Sequence, residues 1–371
     1  MPPADLLRLG EHVMTVCNSC RYCEAYCPVF PAMEERLVFK PVDLTYLANL
    51  CHNCGECLYA CQYAPPHEFG INVPRTLAEI RLAGYEDLCW PQVLGVAFRR
   101  PRLVTSLVLV LTLVALMLAG SHELLAPGPG GDFYRVLPHD RLVGLFGAVF
   151  LLVIAALVVG VRRFWRQMDD PAPVPIPRAA LLSALRDAFT LRHLHSGDER
   201  VDCTDSEESR APWRRLFHHC TMYGYLFCFA ATSVTAVYHT WFGWSAPYRY
   251  ASLPVILGAI GGLGLLVGPA GLFALKQRRD EALNDPAQRG LDTTFIALLF
   301  LTSLTGLLLL VMRGQAVMGI LLVVHLAFVL TLFVTMPYGK FVHGILRTAA
   351  LVRFALETSR GDVRSGDAVG H

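Results

Sequence analysis

Two cysteine runs of identical spacing lie near the start of the chain. They are Cys17-x2-Cys20-x2-Cys23-x3-Cys27 and Cys51-x2-Cys54-x2-Cys57-x3-Cys61. Eight thiolates at this spacing are the ligand set of two cubane 4Fe–4S clusters. Such clusters carry one electron at a time and do no substrate chemistry by themselves. The N-terminal part of the chain is therefore predicted to conduct electrons.

The spacing also predicts which cysteines ligate each of the two clusters. The first three cysteines of a run cap one cubane, and the fourth usually ligates the other cluster. The predicted ligand sets are Cys17, Cys20, Cys23 and Cys61 for the first cluster, and Cys51, Cys54, Cys57 and Cys27 for the second. Pro28 follows the first run as this signature requires, whereas Gln62 follows the second.

A zinc site or a disulfide framework is the alternative interpretation of these cysteines. Zinc normally takes four ligands in two Cys-x2-Cys pairs, and a disulfide framework presupposes an oxidising compartment. Residues 34–50 between the runs look helical rather than like a β-hairpin. We therefore predict an all-α, ferredoxin-like domain with two 4Fe–4S clusters.

The composition of the rest of the chain is typical of a membrane protein. Of the 371 residues, 54% are hydrophobic and only 17% are charged, which is unlike an ordinary soluble domain. Residues 1–16 contain Asp5, Glu11 and His12 and lack an uninterrupted apolar core, so no signal peptide is expected. Thiolates and labile clusters then place the N-terminal domain on the cytoplasmic side.

Six stretches are long and apolar enough to cross a hydrocarbon core of roughly 30 Å. They run over residues 103–120, 141–161, 216–240, 252–275, 291–312 and 316–338. A polar connector, with a proline-rich stretch at 171–175 and an acidic stretch at 202–208, separates the second span from the third.

The predicted domains follow from these spans. They are an iron–sulfur domain (1–98), a two-helix transmembrane hairpin (99–165), a polar cytoplasmic linker (166–212), a four-helix transmembrane haem domain (213–348) and a cytoplasmic tail (349–371). The predicted fold is thus all-α, with the ferredoxin-like domain joined to a six-helix transmembrane bundle.

The basic residues predict the orientation. Thirteen arginines and lysines lie near span ends that the chain reaches before the first span or after an even number of spans, so these ends all face one side of the membrane. Only Arg135, Arg141, Arg249 and Arg313 lie near ends on the opposite side. By the positive-inside rule both termini are cytoplasmic, in a multi-pass protein of the cell inner membrane.

Histidines inside the spans are candidate haem ligands, because ionisable residues at membrane depth are functional candidates. His325 and His343 are eighteen residues apart, five whole helical turns, or roughly 27 Å along the axis. His218 and His239 share nearly one face of the antiparallel third span. His218 and His343 are expected at the same depth on the cytoplasmic side of the membrane, and His239 and His325 at the same depth on the outer side. Each pair is predicted to supply the two axial ligands of a b-type haem. His219 is the reserve for His218.

Two segments resemble the gamma subunit of respiratory nitrate reductase. The segment from His325 to His343 resembles the last haem-carrying helix of that subunit in its terminal histidines, its Thr-Leu-Phe and its proline. Leu216-Phe217-His218 resembles its first haem-ligand helix. The gamma subunit has a second histidine ten residues on, where this chain has Cys228. The pairing of His239 with His325 therefore rests on depth and helical phase.

The whole chain, a cluster domain joined to six spans, resembles the tricarballylate or citrate utilization protein B family. That resemblance implies a membrane iron–sulfur haem protein that re-oxidises the reduced flavin of a separate FAD-dependent tricarballylate dehydrogenase and passes electrons to quinone. The implied partners are that soluble flavoprotein, the quinone pool and the bilayer, with no nucleic acid. Related proteins serve other flavoenzymes, so the substrate of the dehydrogenase stays open.

Other features receive structural interpretations. Gly258, Gly261, Gly262 and Gly264 are expected to let helices approach closely. Ordinary thiols are expected at Cys89, Cys203, Cys220 and Cys228, which lack ligand spacing. His52 and His67 flank the second run and are expected at the surface, with tuning of a cluster potential as the alternative.

No flavin, nicotinamide or P-loop fingerprint is present, so no dehydrogenase site is expected in this chain. Two rival functions remain. A tricarboxylate transporter or transport accessory protein would leave the eight cysteines unexplained, and the bundle shows no inverted repeat or pair of broken helices that would build a midplane site. A redox sensor would call for an output domain.

Overall fold

The computed structural model of the chain describes residues 2–98, 102–120, 133–168, 176–194, 212–283 and 285–368. Within these ranges the protein is all-helical, with no β-strand. The linker stretches at 171–175 and 202–208, and Cys203, lie outside the described residues.

The cluster domain contains six short helices. They are α1 (Ala4–Cys20), α2 (Val29–Glu34), α3 (Pro41–Leu50), α4 (Glu56–Tyr59), α5 (Val73–Leu88) and α6 (Gln92–Ala97). Helix α3 begins with Pro41, and the Asp43 carboxylate accepts a hydrogen bond from the Lys40 backbone N–H at 3.0 Å. The Asn72 side chain caps α5 by accepting from the Arg75 N–H at 3.1 Å. These caps explain why helices form between and after the cysteine runs.

Most of the described helices that follow are longer and more apolar, with the short α9 as the exception. They are α7 (Arg102–Gly120), α8 (His139–Gln167), α9 (Arg178–Thr190), α10 (Pro212–Phe242), α11 (Leu253–Gln277), α12 (Pro286–Met312), α13 (Met318–Thr335) and α14 (Val342–Ala368). Five segments are long and apolar enough to cross a membrane: α8, α10, α11, α12 and the continuous stretch from Met318 to Ser359. Helix α7, the first predicted span, is apolar but shorter. The five long helices indicate a multi-pass membrane protein.

The last membrane helix continues into the cluster domain. After α13, a single 3-10 turn at Met336–Tyr338 leads into α14. On α14, Leu346 and Ala350 are fully buried in the same hydrophobic core as Met14 and Leu47 of the cluster domain. Residues from 349 onward, predicted as a tail, therefore begin as part of a packed helix.

Polar contacts reinforce this packing. Glu357 on α14 accepts hydrogen bonds from Arg36 at 2.7 Å and from the Tyr46 hydroxyl at 3.0 Å. Helix α9, which lies within the predicted linker, packs against α14 as well. One core thus joins the N-terminal and C-terminal parts of the chain, while the domain boundaries themselves stay a prediction.

Glycines allow α10 and α11 to approach each other closely. A Cβ atom at Gly261 would lie 2.7 Å from the Gly224 carbonyl oxygen, and one at Gly264 would lie 2.9 Å from that of Cys220. On another face of α11, a Cβ at Gly262 would lie 2.9 Å from the Leu307 side chain of α12. The close approach inferred from these glycines is present in the structure.

Replacing Gly264 by leucine should destabilise the bundle, because the α10 backbone, and not a flexible side chain, occupies the space that a Cβ needs. The expected loss is about 1–3 kcal/mol. Thermal unfolding in detergent measures it. Gly147→Leu on α8 is the matched control, since nothing lies within 4 Å of a Cβ there. Equal losses in the two variants would contradict the packing account.

Candidate functional site

The eight cysteines lie on two segments: the end of α1 with the loop that leads to α2, and the stretch from the end of α3 through α4 to Cys61. Helix α1 ends at Cys20, and Arg21 adopts a left-handed conformation (φ 54°) that turns the chain back. In the second run, Asn53 (φ 53°) and Gly55 (φ 102°) are left-handed on either side of Cys54. A Cβ at Gly55 would also lie 2.7 Å from Leu283, so glycine is required there for two reasons.

The fourth cysteine of each run lies near the first three of the other. Burial, followed by the nearby thiols of Cys61, Cys23 and Cys20, raises the pKa of the Cys17 thiol to about 12. Burial likewise raises the pKa of Cys27 well above its usual value, followed by the charges of Cys54 and Cys51. These neighbours are the ones that the exchanged ligand sets predict. The ligation itself stays a prediction.

A cavity of about 270 Å³ marks the first set. Cys17, Cys20, Cys23 and Cys61 all line it, together with Cys57 of the second set and with aromatic and aliphatic side chains. Thiols so crowded and buried resist ionisation unless cationic metal neutralises the thiolates. The donor set therefore fits an iron–sulfur cluster.

The two alternative interpretations fit less well. The eleven described cysteines are all free of disulfide bonds. A zinc ion would need its sulfur ligands about 2.3 Å from one point, and in the described part of the chain no three His, Cys, Asp or Glu side chains converge in that way. A cubane spreads its thiolates over four separate iron atoms and does not require such convergence.

Four arginines surround the loop that carries Cys51 and Cys54. We call Arg81, Arg214, Arg279 and Arg347 the arginine collar. They come from α5, from the start of α10, from the end of α11 and from α14.

Every member of the collar donates to backbone carbonyls. Arg347 donates to the carbonyl oxygens of Leu50 at 2.6 Å and Cys51 at 3.2 Å, and Arg81 donates to Cys51 at 2.5 Å. A second group of bonds reaches the next two residues of the loop: Arg214 donates to His52 and Asn53, both at 3.2 Å, and Arg279 also donates to Asn53. The second cysteine set is thereby fastened to the ends of the membrane helices.

The charges of the collar also help to lower the pKa of a neighbouring histidine, His52. His52 is largely buried, and burial followed by the charges of Arg347 and Arg214 lowers its pKa well below the usual value. His52 is therefore neutral at physiological pH. Its ring stacks on His193 with the centroids 6.3 Å apart. The His52 side chain, expected at the surface, is partly buried, and its Nε2 atom is out of contact with solvent.

Two of the predicted haem ligands lie beside the collar. His218 on α10 is within electrostatic range of both His343 and Arg214. The His343 Nδ1 contacts the Lys340 carbonyl oxygen, as an N–H donor would. That bond leaves Nε2 as the coordinating atom, an arrangement common in metal-ligating histidines. The residues at this position fit an axially ligated haem.

His325 is also held through Nδ1. The Thr305 hydroxyl donates to the Leu301 carbonyl at 2.7 Å and lies 3.1 Å from His325 Nδ1, so it accepts from that nitrogen. A Cβ at Gly306 would lie 2.9 Å from the His325 ring, which rests against α12. Nε2 of His325 is thus left to bind a ligand.

His239 has a neighbour that the sequence did not indicate. Its ring centroid lies 3.8 Å from that of His139 at the start of α8, and 5.6 Å from that of Tyr134. His139 was overlooked because it precedes the predicted span at 141–161. The reserve ligand His219 has a buried Nε2 with no hydrogen-bond partner. The pairing of His239 with His325 stays a prediction.

Comparison with known proteins agrees with this architecture. Residues 96–363 match the family Citrate utilization protein B, and residues 10–87 match the Citrate utilization protein B Fer4-like domain. The chain is 49% identical over 354 residues to the Citrate utilization protein B of Escherichia coli, covering 95% of this chain and 92% of that one. The chain belongs to the citrate utilization protein B family. No solved structure matches it significantly.

In this member of the family, the two matched regions correspond to the two parts that the collar joins. The Fer4-like region contains Arg81 and both cysteine runs, and its eight cysteines are consistent with iron–sulfur clusters. The second region contains Arg214, Arg279 and Arg347. The junction between the regions is therefore a hydrogen-bonded interface and not a loose tether.

The exchanged ligand sets can be tested by comparing single cysteine variants. Cys17→Ala and Cys61→Ala should lose the same EPR signal, and Cys27→Ala and Cys54→Ala should lose the other. Non-haem iron should fall from about eight atoms to about four. Cys228→Ala, in α10, is the matched control and should keep both signals. Loss of one common signal in Cys61→Ala and Cys54→Ala would contradict the exchange.

If His218 and His343 are the ligands of a haem on the cytoplasmic side, His343→Ala or His218→Ala should remove a low-spin b-type absorbance, because each variant lacks one axial imidazole. Cluster EPR signals should persist in both variants. His219→Ala is the control and should leave the absorbance unchanged. An unaltered reduced spectrum in His343→Ala and His218→Ala would refute the assignment.

Proposed function

We propose that this chain is a membrane electron-transfer subunit that re-oxidises the reduced flavin of a partner dehydrogenase and passes the electrons to quinone. The observation that carries the proposal is the arginine collar, because it holds the Cys51–Cys54 loop next to His218 and His343. When bound, two 4Fe–4S clusters and one or two b-type haems would carry electrons singly along this line.

The residues around each cysteine set support a direction of flow. The cavity at the first set has Tyr22 at its wall, and that side chain is 62% exposed. The collar, in contrast, contacts the loop of the second set. The first set is thus the entry side, and the second set is the exit toward the membrane helices.

The collar also supports the proposed topology of six spans. Arg214 at the start of α10, Arg279 after α11 and Arg347 after α13 all reach one loop. Those three helix ends therefore share one side, as an even number of crossings requires. Because basic residues concentrate at these ends, we place this side and both termini in the cytoplasm of a cell with an inner membrane.

The partner is proposed from the family and from the chemistry of the chain. The Escherichia coli relative is named for citrate utilization. A chain without a flavin or nicotinamide fingerprint needs another protein to take hydride from carbon. We propose an FAD-dependent dehydrogenase, acting on tricarballylate or a related tricarboxylate, as that protein.

Reconstitution tests this function. Mixed with the flavoprotein dehydrogenase and a quinone, the chain should sustain turnover of the organic substrate. Cys54→Ala should abolish steady-state turnover while a single reduction of the flavin survives, because hydride transfer precedes contact with the cysteines. Cys228→Ala should behave as the wild type. Turnover that persists in Cys54→Ala, or substrate uptake into vesicles without the dehydrogenase, would favour transport instead.

A further inference from the structure

Three apolar side chains are exposed beside the first cysteine set. Leu37 is 92% exposed, Val38 is 70% exposed and Tyr22 is 62% exposed. Single exposed apolar side chains are ordinary on a protein surface, whereas neighbouring ones mark interaction sites. We call Tyr22, Leu37 and Val38 the entry patch, because Tyr22 is also part of the wall of the cavity that Cys20 and Cys23 line.

Two polar contacts hold the parts of the entry patch together. The Asn18 side chain, near the end of α1, donates a hydrogen bond to the carbonyl oxygen of Arg36 at 3.0 Å. Leu37 follows Arg36 directly, so the loop from 36 to 38 lies against the end of α1. Arg21, at the same end of α1, forms an ion pair with Glu34 at 3.8 Å. The loop that carries Leu37 is thereby held close to the segment that carries the first three cysteines.

The entry patch lies far from the membrane end of α14. Arg36, which precedes Leu37, donates a hydrogen bond to Glu357 at 2.7 Å. Glu357 is fourteen residues after His343, and this separation is about 21 Å along a helix axis. Lipid is therefore a poor candidate to cover the patch. In contrast, the exposed Val93 of α6 lies shortly before the apolar helix α7, where lipid can cover it.

Carboxylates border the entry patch. Glu24 and Glu35 are exposed, and both lie within electrostatic range of Glu34. Of the nearby basic residues, Arg21 pairs with Glu34, and Lys40 is exposed. Three carboxylates against these two cations leave the border acidic. A partner surface with apolar side chains at its centre and lysines or arginines around them is complementary to this one.

We propose that the entry patch is the docking surface for the flavoprotein dehydrogenase, which meets it with apolar side chains bordered by basic residues. The inference rests on the proposed function and names the surface at which its electron donor binds. A flavoprotein bound there lies next to Cys20 and Cys23, on the entry side of the electron path. The membrane helices and the second cysteine set stay free for the later steps.

Hydrogen exchange on the unmodified protein tests what covers the patch. The full chain with its cofactors is placed in lipid nanodiscs, and backbone exchange of residues 36–39 is measured with and without FAD-dependent tricarballylate dehydrogenase. The dehydrogenase should slow this exchange at least tenfold. Slow exchange in nanodiscs alone, compared with detergent, would assign the patch to lipid. Protection that grows with the concentration of this chain alone would assign it to a second copy. Either of these two results would overturn the proposal.

Steady-state kinetics test the patch residues. Leu37→Ser should raise the KM for the dehydrogenase at least tenfold, because it removes apolar contact area, and it should leave the cluster EPR signals unchanged. Glu35→Lys should also raise this KM, and its effect should shrink at high salt, which screens exposed charges. Glu11→Lys, at an exposed carboxylate of α1 outside the patch, is the matched control. An unchanged KM in Leu37→Ser or in Glu35→Lys would overturn the proposal.

Failure of the docking surface and failure of the proposed function are distinguishable. If the reduced dehydrogenase does not reduce the wild-type chain at all, the proposed function is wrong and the docking surface falls with it. If it does so while residues 36–39 stay unprotected and Leu37→Ser keeps the wild-type KM, only the location is wrong. Because the exchange measurement uses the wild-type chain, it decides the location independently of how the variants fold.

Discussion

The hydrogen bonds from the arginine collar to the loop after α3 hold the two parts of this protein together. Helix α3 ends at Leu50, and the last carbonyls of a helix lack intrahelical partners and carry partial negative charge. Arg347 and Arg81 donate to carbonyls in this region. Removing either would leave buried acceptors without partners, which costs about 1–3 kcal/mol for each group. The loop is therefore both a cysteine-bearing element and the junction between the cluster domain and the membrane helices.

The same arrangement has an electrostatic consequence. A set of four thiolates around iron is anionic overall, and reduction adds a further negative charge. Guanidinium groups that remain charged at every physiological pH stabilise that charge in a partly buried setting, where screening is weak. Arg347 and Arg214 lie near enough to Cys27 and Cys54 to lower the pKa of those thiols, whereas burial and the neighbouring thiols dominate the pKa of Cys17 and Cys23. This difference would stabilise the reduced form of a cluster bound by the second cysteine set, which lies beside His218 and His343.

Local patterns in the sequence predicted much of this architecture. The cysteine spacing, the apolar spans and the glycines of α11 each act through near neighbours in the chain or through one helix face, so they can be recognised without tertiary information. The matched depth of His218 and His343 needed only helix geometry and the direction of the spans.

The remaining features depend on which elements pack together. Successive collar arginines are separated by 65 to 133 residues along the chain, and by sequence alone Arg214, Arg279 and Arg347 indicated only topology. Helix α9 and the outer part of α14 are too polar to stand out in the sequence. In the structure α9 packs against α14, and Glu357 of α14 accepts a hydrogen bond from Arg36 of the cluster domain. His139 lies just before the apolar stretch that begins at residue 141, so hydropathy excluded it, although its ring centroid is 3.8 Å from that of His239.

The central claim is that the collar tunes and positions the second cysteine set in particular. The most direct measurement is a potentiometric titration of both clusters by EPR in the wild type, in Arg347→Gln and in the exposed control Arg75→Gln. The account predicts that Arg347→Gln lowers the midpoint potential of one cluster by about 60 mV, a tenfold change in a one-electron equilibrium. The other cluster, and both clusters of Arg75→Gln, should stay unchanged. Equal shifts of both clusters, or no shift of either in Arg347→Gln, would contradict the account.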